Sequence, residues 1–293
     1  MLYLLYRIGE FLALSLPRRA VYAVACALAD VYSLFSPKER KAVADNLRII
    51  LGDSASDKEL KRMSREIFRN FAKYLVDFFS FSRIDKDYIN KIVKMEGLSN
   101  IDEALSAGKG VIMLSAHMGN WELGGAALGL TGYQLSAVVL THRDKRINDF
   151  FNRQRMSVNF KPIEFGMALK GCYRTLRENG LLALLGDRDF TKNGITMDFF
   201  GHPAFVPKGP AIFSHRIGSA IVPCFMIREI DDNFTLFIEK PIYPVPGENE
   251  EECVTSLTKI YLAVIESYVR RYPEQWYIFK NIWDNKPEAG VYR

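Results

Sequence analysis

Apolar and polar positions divide the chain into three rhythms. Residues 2–35 hold two apolar blocks, LYLLYRIGEFLALSL and AVYAVACALADVYSLF, separated by PRR and interrupted by Arg7, Glu10 and Asp30. Neither block supplies the ~20 clean apolar residues of a spanning helix. Two arrangements fit: a pair of core helices, or a pair lying in a bilayer interface with Arg18, Arg19, Lys38, Arg40 and Lys41 against anionic headgroups. Apolar residues nearly encircle both blocks, which favours the interface, and a single marginal span remains a third arrangement. From Pro37 to about Asn90 the spacing is helical. Ser36 is placed as an N-cap before Pro37, and Leu60, Met63, Ile67, Phe71, Leu75 and Phe78 recur at three and four.

After Gly97 the rhythm changes. GVIMLSA, GYQLSAVVL, GLLALLGD, AIVPCFMI and FTLFIEK read as buried strands, and WELGGAALGL, RINDFFNRQRM, GMALKGCYRTLREN and PKGPAIFSHRIG read as helices between them. A last helix covers roughly 249–271. This alternation predicts an α/β fold with a mixed, mostly parallel sheet flanked by helices. The expected division is 1–36 as N-terminal apolar membrane-associated helices, 37–96 as a helical region and 97–293 as the α/β domain.

Composition changes this picture little. The chain is 48% hydrophobic and 25% charged, as a folded protein is, and its net charge of +5 suits anionic partners such as acidic lipid, an acidic carrier or phosphate. No nucleic-acid module accompanies the charge. Four scattered cysteines with no C-x-x-C pair indicate neither a metal knuckle nor a disulfide framework. The opening stretch does not read as a cleavable signal peptide, because charges interrupt it and no small-residue site follows.

The candidate chemistry sits where GVIMLSA gives way to WELGGAALGL. In an open α/β sheet the ligand crevice lies beyond the carboxyl ends of the strands, which is where His117 falls. Asn120 is a suitable N-cap, placing Trp121 and Glu122 in the first turn of the next helix. The loop can fold Glu122 onto His117, so that the carboxylate orients the imidazole while it takes a proton. Nearby helix N-terminal amides suit a developing oxyanion. These parts make a general base for acyl transfer to a hydroxyl. H-x4-E is not a metalloprotease motif, no third ligand is evident among His142, His202 and His215, and no G-x-S-x-G elbow is present. Neither a metal nor another cofactor is expected. Residues 141–155 carry five Lys or Arg against two Asp, suiting a phosphorylated headgroup, an acidic carrier or simply solvent. Asp187 ends a buried strand and is expected to be paired.

HMGNWE resembles the H-x4-(D/E) box of the lysophospholipid acyltransferase superfamily, in the form found in the lipid A late acyltransferases and the related phosphatidylinositol mannoside acyltransferases. NLRIILG, THRDKRINDFFNRQR, LGDRDF, FFGHPAFVPKGPAIFSHRIGSAIVPCF and PEQWY agree with that family in order. The tail departs from the family pattern, reading YIFKNIW where a Trp, a His and an Arg pair commonly follow. The resemblance implies a glycerolipid-acyltransferase-like fold and an enzyme at the cytoplasmic face of the cell inner membrane. Its reaction would move an acyl chain from acyl carrier protein or coenzyme A to a lipid A precursor or related glycolipid. By the same resemblance His117 is the base and Glu122 its partner, within a box that includes Gly119, Asn120 and Trp121. Arg143, or an arginine of NRQR such as Arg155, would contact acceptor phosphate or stabilise the tetrahedral intermediate, and Thr141 and His142 beside Arg143 would be substrate-binding. Gly186, Asp187 and Arg188 line the acceptor pocket, with Asp187 beside one of the arginines, and Lys208, Gly209 and Pro210 border it. The alternatives are a lipid hydrolase or thioesterase using the same dyad, a phosphatidylinositol mannoside-type acyltransferase, or a membrane-surface lipid-binding or scaffold protein without catalysis.

Overall fold

Along Val111–Ser115 successive side chains part to opposite faces, as a strand requires: Ile112 and Leu114 enter one apolar core, Val111 and Met113 another. The computed structural model describes residues 2–52, 55–189, 193–247 and 249–283. Its strands are β1 (Val93–Glu96), β2 (Val111–Ser115), β3 (Leu135–Val139), β4 (Phe160–Glu164), β5 (Leu181–Leu185), β6 (Ile195–Phe199), β7 (His202–Val206), β8 (Ala220–Arg228) and β9 (Phe234–Ile238). Seven of them form one sheet in the order β1-β9-β8-β2-β5-β3-β4, with β6 and β7 as a separate antiparallel pair. Strands β8, β2, β5, β3 and β4 run parallel, while β9 and β1 run the other way. The expected mixed, mostly parallel sheet flanked by helices is therefore what forms.

Helices cover both faces: α5 (Lys86–Ile92), α6 (Ser99–Leu105), α7 (Trp121–Leu130), α8 (Lys145–Met156), α9 (Ala168–Arg177), α10 (Gly209–Ile217) and α11 (Glu250–Arg271). Before them come α1 (Leu2–Ser15), α2 (Arg18–Phe35), α3 (Pro37–Leu51) and α4 (Asp57–Phe79). The segment 37–96, expected to be helical, ends in strand β1. Its four residues are too few for a period-two signal to stand out. Strand β4 and the β6–β7 hairpin were also not expected. Ser36 precedes Pro37 as anticipated, but its side chain makes no cap hydrogen bond.

The charges inside the N-terminal blocks explain how those helices are held. Glu10 is buried and bonded by Arg7 at 2.6 Å and by Gln154 Nε2 of α8 at 2.7 Å. Asp30 takes Arg65 and Arg69 of α4 at 2.6 and 2.7 Å, and those guanidinium donors hold its carboxyl well below the usual range. Glu10 and Asp30 thus point inward, while much of the apolar surface of these helices points out. Leu4, Phe11, Leu28, Leu34 and Phe35 are 62–81% exposed. No single helix among the described residues is long and apolar enough to cross a membrane. By length and composition the pair α2 and α3 passes that test together, bent by 98°.

Candidate active site

Ser115 of β2 and Leu185 of β5 are register partners in the parallel ladder, and each strand ends there. Two residues further on lie His117 and Asp187. The ladder continues as Gly186 N–H donates to Ser115 O at 2.9 Å, which delivers both side chains to the same edge of the sheet. Asp187 Oδ1 lies 2.8 Å from His117 Nδ1, and Oδ2 accepts the His117 backbone N–H at 2.8 Å. The indole N–H of Trp276 donates to Oδ2 at 2.9 Å. Burial pushes the Asp187 carboxyl up. The charge and ring N–H of His117, its backbone N–H and the Trp276 indole outweigh that and hold it below the usual carboxylate range. An ionised Asp187 accepts from Nδ1–H, which leaves the imidazole lone pair on Nε2.

The turn after His117 is over-determined. Gly119 has φ +57°, its N–H donates to Gln275 O, and a Cβ there would lie 1.9 Å from Met226 O. Only glycine fits that approach. Asn120 caps α7 as expected, its Oδ1 accepting from Leu123 N–H at 3.1 Å. Residues 275–277 run antiparallel to 117–119, with Tyr277 N–H donating to His117 O at 2.7 Å. Trp121 lies edge-on to the His117 ring at 5.5 Å and stacks on Tyr74 at 4.3 Å, giving the imidazole an aromatic wall.

Two expected pairings are exchanged. Glu122 does not orient His117 through a hydrogen bond. Its carboxylate instead takes Arg155, with Nη2 to Oε1 at 2.5 Å and Nε to both oxygens at 3.0 and 3.1 Å. Asp187 pairs with the histidine rather than with an arginine. The physical reason is topological: β2 and β5 are adjacent, so the ends of those strands meet, whereas α7 turns its first-turn carboxylate toward α8. Arg155 is 9% exposed, and its guanidinium is bonded to Glu122.

Across all 285 of its first residues the sequence matches the family described as bacterial lipid A biosynthesis acyltransferase. The chain belongs to that family. It is accordingly an acyltransferase. Among curated relatives, a phosphatidylinositol mannoside acyltransferase of Mycolicibacterium smegmatis is 22% identical over 242 residues, 81% of this chain and 77% of the relative. A protein of the same name from Mycobacterium tuberculosis is 30% identical over 131 residues, 43% of this chain and 42% of the relative. The lipid A biosynthesis palmitoleoyltransferase of Escherichia coli is 26% identical over 266 residues, 87% of this chain and 83% of the relative.

The other family-implied positions lie in the loop after β3, at the end of β5 and at the start of α10. Thr141 and Arg143 are exposed and His142 half-buried in the loop after β3, where His142 leans on Phe151 of α8 at 4.8 Å. Burial, together with the charge of Arg155, lowers the His142 pKa. Gly186 lies against Tyr261 of α11, since a Cβ there would stand 3.3 Å from Tyr261 Cε2. The Tyr261 hydroxyl donates to Pro207 O at 2.7 Å, which brings the turn at Lys208, Gly209 and Pro210, the start of α10, up to the same layer. Arg188 follows Asp187 and is half-buried. Trp276 was missed as a contact of Asp187. Its signal was the PEQWY stretch, which carried no indication of what the indole touches. Among the described residues no three His, Cys, Asp or Glu gather as a metal ion would require.

Proposed function

We propose that this protein transfers a fatty acyl chain from an acyl thioester to a hydroxyl of a lipid A precursor or related glycolipid, with His117 as general base and Asp187 as its partner. The observation that carries this reading is the bond from His117 Nδ1 to a fully buried carboxylate at 2.8 Å. The acceptor hydroxyl gives its proton to His117 Nε2 as its oxygen attacks the thioester carbonyl. Asp187 stabilises the imidazolium without taking the proton. The tetrahedral intermediate then collapses, the C–S bond breaks, and the imidazolium returns the proton to the departing thiolate. Trp121 and Glu122 N–H, at the start of α7, have no intramolecular partner among the described residues and suit the transient oxyanion.

The glycolipid acceptor is supported by relatives named for lipid A and phosphatidylinositol mannoside acylation. Acyl carrier protein and coenzyme A both fit the exposed Arg143 and Lys145 as thioester carriers, Arg146 beside them being paired with Asp144. The outward apolar face of α1 and α2, flanked by the exposed Arg19, supports seating in a bilayer interface, whereas Arg18 turns inward onto Tyr22, and the inner membrane's cytoplasmic face is where such thioesters are available. The test is thioester consumption with and without acceptor. Consumption that depends on lipid A precursor or phosphatidylinositol mannoside supports transfer, whereas equal consumption without either makes the enzyme a thioesterase.

A further inference from the structure

The catalytic turn is gripped from a side that the dyad does not use. Asn120, fully buried, donates from Nδ2 to Asp77 Oδ2 at 2.8 Å. Arg228 Nη2, at the end of β8, donates to the same oxygen at 2.6 Å. The other oxygen, Oδ1, accepts the hydroxyl of Tyr22 from α2. Tyr22 in turn accepts from Arg228 Nη1 at 2.9 Å and from Arg18 Nε at 2.8 Å. The side chains of Asp77 and Arg228 are 8% and 4% exposed.

Helix stability does not account for Asp77. It stands in the last turn of α4, where the helix dipole disfavours a carboxylate, and it is buried, which disfavours the charge again. Nor does capping account for the amide on Asn120. The cap uses only Oδ1, and a serine would serve it equally well. What the pair adds is orientation: with Nδ2 held by Asp77, Oδ1 can face only Leu123 N–H, and the turn that begins at His117 has one arrangement.

We propose that Asp77 is a positioning residue for acyl transfer, locking Asn120 and through it the turn that carries His117. Tyr22 and Arg228 hold the carboxylate so that it presents one lone pair to Asn120. This inference rests on His117 being the general base, and the test keeps the two apart.

The experiment uses the full chain in detergent. Lauroyl, myristoyl and palmitoyl thioesters of acyl carrier protein and coenzyme A are offered with lipid A precursor and with phosphatidylinositol mannoside. The pair that turns over is used to compare wild type, His117→Ala, Asp77→Asn, Asn120→Ser and the double Asp77→Asn/Asn120→Ser. Asp77→Asn and Asn120→Ser are each expected to lower kcat about 10²-fold while KM stays within about threefold, because the bound substrate meets a displaced base, and His117→Ala, which has no base, is expected to be inactive. The double variant is expected to fall no further than the worse single, because both remove one link. Asn120→Ser keeps the cap and leaves Asp77 its bonds to Arg228 and Tyr22, so the variant is expected to fold with a thermal midpoint lowered by only a few degrees. It decides the matter, with Tyr22→Phe beside it, if Asp77→Asn does not fold. Wild-type kcat in Asn120→Ser with His117→Ala inactive would overturn the proposal, as would strictly multiplicative losses in the double variant. Full activity in His117→Ala would bring down the general-base reading itself.

Discussion

Glu122 and Arg155 join the first turn of α7 to the last turn of α8 through a bidentate ion pair, with side chains only 7% and 10% exposed. Each charge sits at the helix end whose dipole favours it. Burial alone would lower the Arg155 pKa, and the Glu122 carboxylate beside it more than reverses that. The glutamate of the H-x4-E box thus acts on the helix that follows the histidine, and it ties that helix to the arginine stretch eight residues beyond Ile147.

Removing one side of this pair leaves a buried charge without a counter-ion. Glu122→Ala is expected to cost about 3–5 kcal/mol of stability, and Glu122→Gln/Arg155→Met to recover much of it. Denaturant unfolding in detergent checks both. An unchanged midpoint for Glu122→Ala would mean that the pair does not hold α7 to α8.

Asp187→Asn keeps the size of the side chain but presents an amide to Nδ1, which favours the wrong imidazole tautomer. Activity is expected to fall about 10³-fold or more. The variant also carries an acid signature. The folded-state carboxyl is held below its unfolded value, so the stability it contributes is complete above about pH 4 and is lost as pH falls through the lower folded value. The stability gap between wild type and Asp187→Asn should therefore narrow below about pH 4. A gap that widens there would reverse the sign assigned to the shift.

Trp276→Phe removes the indole N–H from Asp187 and keeps most of the ring packing against Phe199 and Phe200. A hydrogen bond to a charged group is worth about 1.5–3 kcal/mol, so the expected loss in kcat/KM is at least about tenfold. Wild-type kcat/KM in this variant would show that the indole does not support the dyad.

The outward face of α1 and α2 gives a test that leaves the fold alone. Phe11→Glu and Leu28→Glu alter exposed positions, and burying each native side chain in a bilayer interface would contribute about 1.5–3 kcal/mol. Binding to phosphatidylglycerol-containing vesicles should weaken sharply in each variant, with the helical circular dichroism unchanged. Equal vesicle binding by both variants would remove this face as the membrane contact.

The sequence made the junction at His117 legible because an apolar strand, a Gly-Asn turn and a helix start fall within fifteen residues. Asp187 was equally visible as a carboxylate ending a buried strand. What local spacing cannot show is that these two strand ends are neighbours, since β2 and β5 are seventy residues apart and their adjacency is a property of sheet order. Glu122 was therefore matched to the histidine nearest in sequence, and Asp187 to a nearby arginine. Strand β4 escaped notice because FKPIE carries a proline and two charges, which is tolerable only at the sheet edge where it lies. The broken apolar blocks were read correctly as helices. Their charges were the inward pins, which hydropathy alone renders as defects in a span.

Mass spectrometry of glycolipids addresses the central claim most directly, using cells lacking this gene and complemented with wild type, His117→Ala or Asp187→Asn. We expect a glycolipid one acyl chain lighter in the deletion strain, restored by wild type and by neither variant when all three proteins accumulate equally. A mature glycolipid restored by His117→Ala would contradict the assignment of His117 as the base that activates the acceptor.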